Sequence, residues 1–213
     1  MMGINEKLEK YILEHMDAQD PVLQELERET FLKVLRPRML SGHLQGSMLE
    51  MFSRMIQPER ILEIGTYTGY SAICLAKGLT KTGRLHTIEI NDELENMAKR
   101  YFEKAGLDAK IQQHIGDAKS IISALEETWD LVFIDADKRE YCAYFDLVID
   151  KVRPGGLLIA DNILWSGKVV DELTPDDEQT RGILEFNQKI KANPQVSQVI
   201  LPLRDGLMLI RKL

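Results

Sequence analysis

The sequence predicts a doubly wound α/β domain with a helical N-terminal cap, on three observations. After Arg60, short apolar runs that close on glycine, aspartate or asparagine alternate with helical stretches of about 10–15 residues, the rhythm of a parallel sheet covered on both faces. Before Arg60 the apolar residues recur at helical spacing instead. The last two apolar runs are separated only by Arg204, Asp205 and Gly206, too few residues for a parallel crossover, so they form an antiparallel hairpin at the edge.

The elements follow in order within one expected domain, with about residues 1–58 as cap and 59–213 as core. In HLQGSMLEMFSRM, Leu44, Met48, Met51 and Met55 share one helical face and are read as core. RILEIG is the first strand, and TGYSAICLAKGL a helix closed by Gly78. RLHTIEI is the second strand, followed by Asn91 and Asp92 as caps and a helix with Leu94, Met97, Tyr101 and Ala105 on one face, ending at Gly106. AKIQQHIG, DLVFIDA and GGLLIADN are the next strands, with DAKSIISALEE and REYCAYFDLVIDKV as the helices between them; QVSQVILPL and DGLMLIRKL form the hairpin.

Composition sets the class. A chain of 213 residues, 44% hydrophobic, buries a full core without staples. Its 27 lysines and arginines against 34 aspartates and glutamates, a formal −7, weigh against a broad nucleic-acid surface. No apolar run approaches the ~20 residues of a membrane helix, so no membrane partner is expected. The charged N-terminus lacks the apolar region of a secretory signal, and Cys74 and Cys142 are too few for a disulfide framework; both fit a cytoplasmic protein. His15, His43, His86 and His114 are scattered and read as structural or surface residues.

Ligands of open α/β sheets bind beyond the carboxyl ends of the strands. The first such end reads Glu63-Ile64-Gly65-Thr66-Tyr67-Thr68-Gly69-Tyr70-Ser71. It is GxxxG rather than the GxGxxG of dinucleotide sites, and it lacks the GK[ST] of a P-loop, so a pyrophosphate is disfavoured. Glu63 suits a cationic ligand such as an amino group, because its carboxylate repels phosphate. Glu89, 24 positions beyond Gly65, is spaced to take both hydroxyls of a ribose. A ligand with a ribose, an amino group and no required phosphate is S-adenosylmethionine. Gly116-Asp117-Ala118 ends the third strand where an adenine edge would lie, although Asp117 is equally placed to cap the following helix.

Asp135 closes the fourth strand and Asp161-Asn162 the fifth, and parallel strands that end together bring the three to one rim. Two carboxylates and an amide oxygen form a hard donor set for Mg²⁺, with Mn²⁺ or Ca²⁺ as substitutes. Lys138, three residues beyond Asp135, is placed to accept a proton from an acceptor hydroxyl. Alone it would read as a surface lysine paired with Asp135 or Asp137.

Together these residues resemble the cation-dependent, S-adenosylmethionine-dependent O-methyltransferases of the catechol and caffeoyl-CoA type, in their bacterial branch. EIGTYTGYS, FIDADKREY, ADNILWSGKVV and LPLRDGLMLIRK carry the resemblance, which runs from Met39 to the C-terminus. It implies a Rossmann-like, seven-stranded class I methyltransferase sheet with an antiparallel last strand. It also implies that Glu63, Gly65, Thr66, Tyr67 and Ser71 hold the methionine part of the cofactor, with Met39, Ser41 and Asp135 near the methyl donor. Glu89 would bind the ribose, and Gly116, Asp117 and Ala118 would border the adenine. Asp135, Asp161 and Asn162 match the metal ligands, Lys138 the base acting beside Asp135, and Trp165 the wall of the substrate cleft. Two positions depart from the relatives: Ala136 stands where the mammalian catechol branch has histidine, and Ser166 where plant enzymes carry asparagine beside the substrate.

The implied reaction is metal-dependent methyl transfer to one hydroxyl of a vicinal dihydroxy aromatic, a small phenolic substrate, by a homodimer. Two alternatives stand beside it. One is a tRNA wobble-hydroxyuridine O-methyltransferase, for which Lys33, Arg36 and Arg38 near the cleft entrance are the basic candidates, though they equally suit a solvated helix end. The other is a non-catalytic S-adenosylmethionine sensor, which would need neither metal ligands nor Lys138.

Overall fold

The computed structural model describes residues 6–213, so the first five residues of the expected cap lie outside it. The chain forms α1 (Glu6–Glu14), α2 (Pro21–Lys33) and α3 (Gly42–Ile56), and then β1 (Arg60–Ile64), α4 (Tyr70–Ala76), β2 (Arg84–Glu89), α5 (Glu95–Lys104), β3 (Ile111–Ile115), α6 (Ala118–Ala124) and β4 (Trp129–Ile134). It continues through α7 (Tyr141–Val148), β5 (Val152–Ala160), α8 (Glu178–Ala192), β6 (Val196–Leu201) and β7 (Leu207–Lys212).

The strands form one seven-stranded sheet in the order β3-β2-β1-β4-β5-β7-β6. β1 to β5 are parallel, and β7 runs antiparallel between β5 and β6, so the hairpin sits at one edge as its short connection requires. This is the α/β fold of class I methyltransferases, with its last strand antiparallel. Strand order reverses between β1 and β4, and the crevice beyond their carboxyl ends is where such sheets take ligands.

Side chains that alternate along the strands feed two cores. Leu62, Ile64, Val132 and Ile134 pack on one face against Tyr141, Phe145, Ile183 and Phe186 of α7 and α8. Ile61, Leu131 and Phe133 pack on the other against Leu26, Leu49, Ile73 and Phe102 of α2 to α5. The central strands β1 and β4 are apolar along most of their length because both faces are covered, whereas β3 and the edge strand β6 carry polar, exposed positions.

Two segments differ from the sequence reading. The methionine stripe is not core: Leu44 and Met48 are half-buried, while Met51 and Met55 are 56% and 66% exposed. α3 instead buries Gln45, Gly46, Leu49 and Ser53. Ser53 donates to the Leu75 carbonyl at 2.6 Å, and a Cβ on Gly78 would stand 2.3 Å from the Ser53 backbone. Small residues allow this close approach, and the bulky methionines are turned outward by it. The second difference is α8, which the alternation did not resolve; its N-cap Asp177 accepts from Thr180 N at 3.0 Å.

Candidate active site

One backbone pattern builds the rim. Gly65 N and Thr66 N donate to the Ile88 carbonyl, Gly116 N to Glu89, Asp135 N to Ile64 and Asp161 N to Ile134, all at 2.9–3.1 Å. Each strand end is thereby tied to its neighbour, and the residues just beyond face one cleft of about 1310 Å³.

At the first turn Gly65 has φ +105, and a Cβ there would lie 2.0 Å from the Asp135 carbonyl oxygen. Gly69, at φ +92, would put a Cβ 2.6 Å from the Phe102 ring. Only glycine permits this path, which brings the turn flush against the end of β4. Tyr67 takes positive φ as well, and its amide donates to Glu89 Oε2 at 2.7 Å while Asn91 N donates to Oε1 at 2.9 Å. Glu89 is therefore fixed at the cleft wall. Gly116, Asp117 and Ala118 line the same wall, and Asp117 also caps α6 by accepting from Ser120 N at 2.9 Å. Met39, Ser41, Gly65, Thr66, Tyr67, Ser71 and Asp135 surround a narrow recess that opens beside it.

Glu63 is not brought to the cleft. Its side chain points to the α4 side of the sheet, is 0% exposed and lines neither cavity. Thr87 Oγ1 donates to its Oε2 at 2.5 Å, and Thr87 in turn bonds Thr66 Oγ1 at 2.5 Å. Burial, with the Asp135 and Glu89 charges behind it, pushes the carboxyl up to about 8, so it is protonated at neutral pH. Strand alternation turns Glu63 beneath the glycine turn.

Beside that turn, the ends of β4 and β5 and the loops after them bring Asp135, Asp161, Asn162, Lys138 and Trp165 to the cleft. Lys138 is only 5% exposed; its Nζ donates to Asp135 Oδ1 at 2.9 Å and to the Tyr141 hydroxyl at 2.6 Å. Tyr141 passes its own proton to the carbonyls of Ile134 and Asp161, at 3.2 and 3.1 Å, so toward Lys138 it acts as an acceptor. The Trp165 ring lies 5.9 Å from Nζ. Asp161 Oδ1 accepts from Asn162 N at 2.7 Å and Oδ2 from Gln45 Nε2 at 2.6 Å. Burial and the neighbouring Asp135 charge raise the Asp161 carboxyl above the usual carboxylate range. Two carboxylates and an amide gathered in a desolvated floor suit a hard divalent cation, which would offset their repulsion. Among the described residues no cluster of three histidine, cysteine or acidic side chains is suited to a metal. Ser166 is exposed and lines neither cavity; its amide donates to Asp205 Oδ1 at 2.5 Å.

The O-methyltransferase family model matches residues 13–213. The chain belongs to the O-methyltransferase family. It is 31% identical to a probable caffeoyl-CoA O-methyltransferase of Dictyostelium discoideum over 98% of this chain and 93% of the relative. It is 38% identical to a catechol O-methyltransferase of Niastella koreensis over 74% of this chain and 72% of that one. The crystal structure of a Bacillus cereus O-methyltransferase in complex with SAH superposes with a TM-score of 0.90, at 30% identity over 97% of each chain. The protein is an S-adenosylmethionine-dependent O-methyltransferase.

Several residues in or behind this O-methyltransferase cleft escaped the sequence reading. Gln45 and Tyr141 reach the acidic floor, and Gln179 of α8 accepts from Lys138 N at 3.2 Å. Arg204 in the β6–β7 turn lines the cleft and donates through Nη1 to the Leu40 carbonyl at 3.0 Å and to the Ser41 carbonyl. Asp205 beside it holds Ser166, so one turn ties the cap loop to the loop after β5. The one signal in the sequence was the four-residue spacing of Gln45, Leu49 and Ser53, which competes with the methionine stripe as a helix face.

Proposed function

We propose that this O-methyltransferase methylates one hydroxyl of a catechol-like vicinal dihydroxy aromatic, with a divalent cation held by Asp135, Asp161 and Asn162. Magnesium is the first candidate, with manganese or calcium as substitutes. The observation that carries this reading is a buried lysine bonded to one of two clustered carboxylates, in the cleft beside the glycine turn. When bound, S-adenosylmethionine supplies an electrophilic methyl group and the cation a Lewis acid that orients and acidifies the acceptor hydroxyls.

The chain's own residues do the rest. Glu89 takes the ribose hydroxyls, Gly116, Asp117 and Ala118 border the adenine, and Met39, Ser41, Gly65, Thr66, Tyr67, Ser71 and Asp135 enclose the methionine part. Glu63 supports that group from beneath, through Thr87 and Thr66. Lys138, in its neutral amine form, would take up the acceptor hydroxyl's proton through Nζ, and Trp165 walls the acceptor site; the methyl group would leave the sulfonium for that oxygen, with S-adenosylhomocysteine as the leaving group. The fold and positioning work as one domain with residues 1–58 as its cap, in the cytoplasm. The exposed Met51 and Met55 on α3 support a homodimer. Among the described residues no helix is long and apolar enough to cross a membrane.

The test is methyl transfer to a panel of small catechols with Mg²⁺ or with excess EDTA. Product only with the metal is the expected result; product that survives EDTA rejects the cation site. One observation favours a second reading, a tRNA hydroxyuridine acceptor. Arg36 and Arg38 line the mouth of the cleft, and among the described residues neither forms an ion pair. No product on any catechol, with steeply salt-dependent tRNA binding, would select that reading.

A further inference from the structure

Gln45 is a buried amide that neither the fold nor the reaction above accounts for. It sits near the N-terminus of α3, 1% exposed, and its partner Asp161 lies 116 residues away in sequence. α3 is seated on α4 through Gly46, where a Cβ would come within 2.6 Å of the Tyr70 ring and 2.9 Å of Cys74 Sγ. That close seat fixes where the neighbouring Gln45 side chain emerges.

The amide has one orientation compatible with its neighbour. Nε2 donates to Asp161 Oδ2 at 2.6 Å, whereas Oε1 is buried without a protein partner. Turning the amide over would bring Oε1 against the carboxylate oxygen, two acceptors face to face. The other oxygen, Oδ1, is held by the amide of Asn162 at 2.7 Å, and that residue is in the left-handed region at φ 59. Asp161 is thus gripped by one donor from its own turn and one from the cap. Each grip occupies a single lone pair per oxygen and leaves the carboxylate able to accept further.

We propose that Gln45 is a positioning residue for the cation site, holding the Asp161 carboxylate in its ligating orientation and tying that site to the cap helix. The inference rests on the metal reading above. Partners of ligating carboxylates typically contribute 10–100-fold to metal affinity. Gln45 is placed to do so without touching cofactor or acceptor, since it lines neither cavity.

The experiment is a Mn²⁺ titration followed by electron paramagnetic resonance on the full chain without substrate, comparing wild type, Gln45→Met, Asp161→Asn and the double variant. Gln45→Met is expected to weaken Mn²⁺ binding about 10–100-fold while leaving the S-adenosylmethionine Kd within about twofold. In the Asp161→Asn background it should add nothing, because it acts through that carboxylate. Wild-type Mn²⁺ affinity in Gln45→Met overturns the inference and leaves the metal reading standing. A wild type that binds no Mn²⁺ overturns both. Should Gln45→Met fail to fold, Gln45→Asn decides: the amide is kept but falls short of Asp161, and unchanged Mn²⁺ affinity rejects the role.

Discussion

Glu63 at the end of β1 and Asp161 just beyond β5 occupy corresponding places in two halves of the same rim. Both carboxyls are buried, and burial raises both above their ordinary range. Glu63 is answered by a threonine hydroxyl and sealed under the glycine turn. Asp161 is answered by two N–H donors and lies at the wall of the cleft with Asp135 and Lys138. The difference teaches that burial and a shifted carboxyl do not identify a site. What separates the two is which side of its strand the residue leaves from, and so whether it opens on the cleft.

The comparison breaks most directly at Lys138. Replacing it with methionine, which keeps the stem and removes the amine, should lower kcat by about 10²–10⁴-fold with the cofactor Kd nearly unchanged. Single-turnover kinetics beside cofactor titration would check this, and an equal collapse of both would move Lys138 from proton acceptor to support of the fold. Next comes the junction of the halves at Gly65, where a methyl group would strike the Asp135 carbonyl at 2.0 Å in a backbone conformation reserved for glycine. Gly65→Ala should cost about 3 kcal/mol, from strain and clash together, read as a lower urea midpoint. A midpoint unchanged by the substitution would mean that the two strand ends are not locked together.

The smallest effect sharpens the cofactor half. Glu63→Gln mimics the protonated carboxyl and should leave stability near pH 5 nearly unchanged. The wild-type carboxyl is held at about 8 in the folded state, against 4.5 as the ordinary value. Its contribution is complete below the ordinary value and is lost as pH rises toward 8, since the folded state retains the proton longer. Glu63→Gln lacks that loss, so it should overtake wild type in urea denaturation of the cofactor-free protein at pH 9. Parallel pH profiles for the two proteins would show that Glu63 is ionised where it lies.

Much of the α/β core was legible because its information is local. An apolar run that ends on glycine or an acid, followed by a helical repeat, fixes a strand end and what stands on it. Strands that run parallel then put Glu89, Gly116, Asp135 and Asp161 on one rim, and the structure places all four at the cleft. Glu63 lies off the cleft wall, because a local pattern specifies parity along a strand but not which face of the sheet the cleft opens on. α8 lay outside the strand–helix alternation because a long loop separates it from β5, although its buried Ile183, Phe186 and Ile190 recur at helical spacing.

By itself, then, the sequence determined the succession of strands and helices, the glycine turn and the acids at the strand ends, since each depends on backbone preference and short-range periodicity. Only the tertiary structure decided which face of α3 is buried. Docking on α4 rewards small groups that allow close approach over the larger apolar area of Leu44, Met48, Met51 and Met55. It also decided the pairing of Gln45 with Asp161 and the reach of Arg204 to the cap loop, contacts spanning 116 and more than 160 residues. Such pairs arise from how whole elements pack, and the packing energy of distant surfaces leaves no periodic trace in either segment alone.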